Sequence, residues 1–82
     1  MFNVSTFPQL SDALRYKAQE LLVMGQVAEE IFEAVEATAE NRPLRKNIHF
    51  SYQLIELLQS QYDIVIFENA ENIAYMLLCR KH

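Results

Sequence analysis

The amino-acid sequence predicts an α+β fold: one small domain over residues 1–82, of order β-α-β-α-α-β-β, with helices packed on one face of a mixed three- to four-stranded sheet. Three observations predict it. Residues 26–41 show a helical separation of charge from apolar surface, residues 20–24 are an apolar run closed by a glycine, and residues 63–67 are β-branched and aromatic at successive positions.

Phe2, Val4 and Phe7 alternate with Asn3 and Ser5, the period of a short strand, and Pro8 ends it because proline brings no N–H to a ladder. Thr6 and Gln9 then stand at capping-box spacing. That pair predicts a helix from about Phe7 to Ala18 with Leu10, Ala13, Leu14 and Ala18 inward and Asp12, Arg15 and Lys17 in water. Glu20 to Met24 allows two readings: a continued helix capped by Gly25, or a buried strand that Gly25 terminates. The strand is preferred, because four consecutive apolar residues with no polar side suit a sheet interior.

The next helix runs from Gln26 to Asn41. At about 100° per residue, Glu29, Glu33, Glu36 and Glu40 fall within roughly 60° of one another, while Val27, Ala28, Ile31, Phe32, Ala34, Val35 and Ala39 take the opposite arc. This fixes the carboxylates as the water-facing side. Asn41 is a suitable terminator, and Pro43 makes continuation unfavourable. Residues 42–50 form a basic connector containing Arg42, Arg45, Lys46 and His49.

A third helix, from about Ser51 to Gln61, has Leu54, Ile55, Leu58 and Tyr62 on one face and Gln53, Glu56, Gln59 and Ser60 outside; its N-cap is Ser51 or Asn47. Asp63 to Phe67 has the composition of a strand covered on both faces. Ile73 to Arg80 again has two readings, a hairpin return through Glu68 to Asn72 or a helix carrying Ala70, Ile73, Ala74, Leu77 and Leu78. The hairpin is preferred, since a buried strand needs ladder partners for its backbone groups. There is no internal repeat, linker or low-complexity segment.

A chain of 82 residues buries only about 60–65% of its unfolded surface, so each large apolar side chain matters. The apolar share of 51% with a single glycine is the opposite of a disordered composition. It exceeds the needs of so small a monomer and points to a partner, in the simplest case a second copy in a homodimer. Eleven acids against seven bases argue against a general polyanion binder. Residues 27–41 hold five Glu and no base, whereas Arg42, Arg45, Lys46, Arg80 and Lys81 supply five of the seven bases, so the surface is electrically two-sided.

The reactive chemistries are poorly represented. Cys79 is the single cysteine, which excludes an internal disulfide, and it lies in an apolar run where a thiol is ordinarily inert packing. Cys79, His82 and His49 make a thin metal set, because structural zinc takes four ligands. A single Gly25 leaves no glycine-rich phosphate loop. No basic leader with an apolar core and no apolar run of about 20 residues is present, so a cytoplasmic location is expected.

The expectation is therefore a non-enzymatic interaction or regulatory protein without cofactor or metal, acting through protein–protein contacts. Its candidate docking residues are Glu29, Glu33, Glu36 and Glu40 on the acidic helix and Arg42, Arg45, Lys46 and His49 on the basic connector. Two alternatives stand beside it. The connector, with Arg80 and Lys81 and a winged-helix-like arrangement, suits a nucleic-acid-binding regulator. The carboxylate stripe, imitating a phosphate backbone, suits an inhibitor of a nucleic-acid enzyme.

Overall fold

A computed structural model, which describes residues 1–43 and 52–81, has the expected element order. The strands are β1 (Phe2–Val4), β2 (Glu20–Met24), β3 (Tyr62–Ala70) and β4 (Ile73–Arg80); the helices are α1 (Phe7–Arg15), α2 (Gln26–Ala39) and α3 (Tyr52–Gln61). They build a mixed four-stranded sheet of order β1-β2-β4-β3. β1 and β2 run parallel, joined through α1, and β4 is antiparallel to both β2 and β3. Both ambiguous runs are strands, 20–24 as β2 and 73–80 as β4.

The local signals work as their chemistry demands. The Gln9 N–H donates to Thr6 Oγ1 at 3.3 Å, and Gln9 Oε1 accepts from the Thr6 N–H at 3.2 Å and the Ser5 N–H at 2.7 Å. The box thus satisfies donors at the start of α1 that have no carbonyl partner. Both α1 and α2 stop a few residues before the expected Ala18 and Asn41, for one reason. At Lys17 (φ 54°) and Asn41 (φ 55°) the backbone turns left-handed. The Ala18 and Arg42 N–H groups then reach back to the Ala13 and Ala37 carbonyls at 3.1 and 2.8 Å, and Lys17 and Asn41 to Leu14 and Thr38, the paired bonds of a Schellman ending.

Gly25 is the whole connection between β2 and α2. Its φ of 74° and ψ of −142° lie where a Cβ is disfavoured, and its N–H donates to the Ala74 carbonyl at 2.8 Å. The β3–β4 hairpin closes through only Glu71 and Asn72, since Ala70 pairs directly with Ile73; the positive φ values of both turn residues, 52° and 65°, are those of a type I′ turn.

One face of the sheet carries the core. Val4, Leu21, Val23, Ala74, Met76, Leu78 and Tyr62 meet Leu10 and Ala13 of α1, Val27, Ala28, Ile31 and Ala34 of α2, and Ile55 and Leu58 of α3 in one buried cluster. Each fully buried Leu or Ile here contributes about 1.5–3 kcal/mol over leaving it exposed. Tyr62 Oη donates to the Ala18 carbonyl at 2.6 Å, tying the start of β3 to the loop behind α1. Burial raises this phenol above the ordinary tyrosine value of 10.0, and the Arg80 guanidinium partly opposes the rise.

Three expectations are corrected. The 63–67 run is not covered on both faces: β3 is an edge strand, and Ile64, Val65 and Ile66 are 39%, 54% and 48% exposed. The apolar residues satisfy β4 on one side only, and a bulge between Ile64 and Ile66 breaks the alternation. On α2 the buried arc is turned from its expected centre: Ala37 and Glu30 are inside and Ala39 is exposed, because the helix packs on α3 as well as on β2 and β4. Cys79 is half-buried and alternates away from the core. The proposed N-caps of α3, Ser51 and Asn47, lie outside the described residues.

Gly25→Ala is expected to lower stability by about 1–3 kcal/mol in urea unfolding. Open space surrounds the site, so the cost is in the backbone and not in a clash. Tyr62→Phe is expected to cost about 0.5–1.5 kcal/mol near neutral pH. The folded phenol holds its proton more tightly than the unfolded one, so the wild type loses stability as pH rises above about 10. Unfolding curves recorded across that range should show a steeper decline in the wild type than in the variant.

Candidate functional site

Two surfaces emerge, one polar and one apolar. The polar one is built on α2. Glu29, Glu36 and Glu40 are exposed and Glu33 is half-buried, so the stripe faces water as its spacing requires. Beside it, between the first half of α2 and the far end of β3, lies an open groove of about 590 Å³ lined by Gln26, Glu29, Glu30, Phe32, Glu33, Phe67 and Asn69. Phe32 and Phe67 stack there with ring centroids 4.1 Å apart and planes 3° from parallel. Glu30, only 6% exposed, accepts from Gln26 Nε2 at 3.5 Å. The groove therefore presents the carboxylates of Glu29, Glu30 and Glu33 and the carboxamides of Gln26 and Asn69 beside an aromatic pair.

Of the expected basic docking residues, only Arg42 lies among the described residues. Arg42 sits just past α2 and pairs through its Nε with the Glu40 carboxylate, both side chains being more than half exposed. Such a pair contributes little to stability. Arg80 Nη1 donates to the Lys17 carbonyl at 3.1 Å, and Lys81 Nζ donates to the Gln59 carbonyl at 2.8 Å and approaches Asp63 at 3.8 Å. These cations close the fold around β4. Arg45, Lys46 and His49 lie outside the described residues.

The apolar surface is the outer face of the sheet. Since Leu21, Val23, Ala74, Met76 and Leu78 point into the core, strand alternation sends Leu22, Met24, Tyr75, Leu77 and Cys79 the other way. Strand register arranges them in rows. Leu22 pairs with Leu77, and Leu77 with Ile66, forming an apolar line across three strands; Met24 and Tyr75 form the next row, ending at Glu68. At one end Cys79 stands between Glu20 and Asp63; at the other lies Ile73, 44% exposed. None of the three helices lies on this face, because all of them contribute to the single core cluster opposite.

Sequence reasoning placed its candidates on charge and missed this apolar face. The signal was present: 21–24 and 73–79 are apolar on both faces, and helices that all lie on one side cover only one. Among the described residues no group of three or more His, Cys, Asp or Glu is placed to hold a metal ion, and no helix is long and apolar enough to cross a membrane. No known protein family, curated protein or solved structure matches the chain. The geometry thus defines an α+β domain with its three helices on one side of the sheet, an acidic groove, and a half-buried apolar row on the other side of the sheet.

The aromatic stack at the groove is open to direct measurement. Phe32→Leu and Phe67→Leu each keep most of the apolar area and lose the ring contact, at an expected cost of about 1 kcal/mol. A double-mutant cycle on unfolding free energies should return a coupling of about 0.5–1.5 kcal/mol.

Proposed function

We propose that this chain is a non-enzymatic interaction or regulatory protein of the cytoplasm that works through protein–protein contacts, self-association among them. The observation that carries this reading is the outer sheet face. Three strands about 4.8 Å apart and six residue steps of about 3.4 Å along β4 outline roughly 300 Å², within which Leu22, Met24, Tyr75, Leu77 and Cys79 are half-buried and Ile66 and Ile73 exposed. Contiguous apolar patches of that size on a monomer are often functional. The acidic side of α2 adds a field that draws basic partners towards the molecule and repels acidic ones. Glu29, Glu33, Glu36 and Glu40 act in this reading as steering groups, and Leu22, Leu77 and Ile66 as the contact.

Affinity capture from the native host tests it, with the chain immobilised through Met1, which is exposed. The wild type is expected to retain protein at both low and high salt, because apolar contacts are not screened. Ile66→Lys, at an exposed edge position, is expected to reduce the recovery at least about tenfold. Recovery of nucleic acid alone, released as salt rises, or recovery indifferent to Ile66→Lys, would overturn the reading.

A further inference from the structure

Resting on the reading of this chain as an interaction protein, but on a different surface, we infer that the free edge of β3 takes an extended basic segment of a partner protein as an added antiparallel strand. Hydrogen-bond parity defines that edge. Ala74 gives its carbonyl to the Gly25 N–H and Arg80 gives its N–H to the Gln19 carbonyl, so the even-numbered residues of β4 bond towards β2. The odd-numbered Ile73, Tyr75 and Leu77 then bond to Ala70, Glu68 and Ile66, their partners in β3. Phe67 and Asn69 therefore aim their N–H and C=O groups away from the sheet, and among the described residues nothing bonds to them there. The bulge between Ile64 and Ile66 interrupts the half of the edge nearer Tyr62, yet from Ile66 to Ala70 the register is regular.

The same two residues, Phe67 and Asn69, line the groove with Phe32, Glu29, Glu30 and Glu33, so main-chain and side-chain recognition coincide. Directly opposed residues of neighbouring strands project to the same face. The two partner residues that bond to Phe67 and Asn69 thus send their side chains to the α2 side, over the groove. Charge selects what those side chains are. The stacked rings give an apolar surface for the stem of a Lys or Arg, and three carboxylates, with no base among the described lining residues, give a field for its head. An acidic segment is repelled by the same groups. A second copy is disfavoured too: β3 paired with β3 through Phe67 and Asn69 sets Glu68 directly against Glu68 of the other copy and brings two acidic grooves together.

The probe is a blocked Val-Lys-Val-Lys-Val peptide added to the full chain at low salt, with binding and amide hydrogen exchange followed by NMR. Saturable binding is expected with Kd on the order of 100 µM to 1 mM. The Phe67 and Asn69 amides are expected to exchange at least about fivefold more slowly with peptide bound, whereas those of Ile66 and Glu68, already bonded to β4, change little. Methylating the two Lys amide nitrogens of the peptide keeps its charge and removes its donors, and should weaken binding at least about tenfold. Glu29→Lys should weaken it at least about threefold, and Asn69→Pro, which removes an outward N–H only, at least about tenfold. Circular dichroism establishes that each variant is folded, and the methylated peptide tests the wild type without any variant. Absence of amide protection at about 5 mM peptide, equal binding of the methylated peptide, or equal binding of a peptide with Glu in place of Lys would each overturn the inference. If the peptide failed while capture of a host protein stayed sensitive to Ile66→Lys, the interaction reading would stand and the edge site alone would fall. Protection of Phe67 and Asn69 with capture indifferent to Ile66→Lys would uphold the edge site and remove the sheet face as the contact.

Discussion

The alternation of β4 governs this structure. It is an interior strand, hydrogen-bonded on both sides, and its odd and even residues serve different surfaces. Ala74, Met76 and Leu78 are buried in the core. Ile73, Tyr75, Leu77 and Cys79 take the opposite side. The three helices share one side of the four-stranded sheet, so none of them covers the second side. A slip of one residue in β4 would exchange the two sets, so the register with β2 decides both stability and surface.

Backbone geometry at a few positions holds that arrangement. Gly25 reverses the chain in a single residue, and its N–H bond to Ala74 anchors the start of α2 to β4. Tyr62 and Arg80 bind the loop behind α1 through the Ala18 and Lys17 carbonyls. These contacts are small one by one, yet each joins the N-terminal β-α-β half to the C-terminal hairpin. The acidic face of α2 is set by the same packing, since burying Val27, Ile31 and Ala34 leaves Glu29, Glu36 and Glu40 outside.

Element type and order were legible from the residues because the signals were local. Thr6 and Gln9 mark a helix start, Gly25 marks a strand end, and the apolar period of 26–39 marks an amphipathic helix. The status of β3 was not legible. Ile64, Val65 and Ile66 have the composition of a strand enclosed on both sides, and composition cannot tell enclosure within the chain from exposure at an edge. Glu30 was missed for a related reason: helical periodicity gives the angle of a residue on α2 but not the position of α3 beside it. The apolar outer face required the sheet order, which no single segment encodes.

The connectivity has a kinetic consequence. Glu20 lies against Cys79 and Met24 against Tyr75, so the two halves of the sheet are sewn together by contacts far apart in the chain. The β-α-β unit and the hairpin can each organise through nearby contacts, but neither closes its core until the other docks. In vectorial synthesis β4 emerges after every element it joins, so the apolar sides of β2 and α2 receive their central strand last.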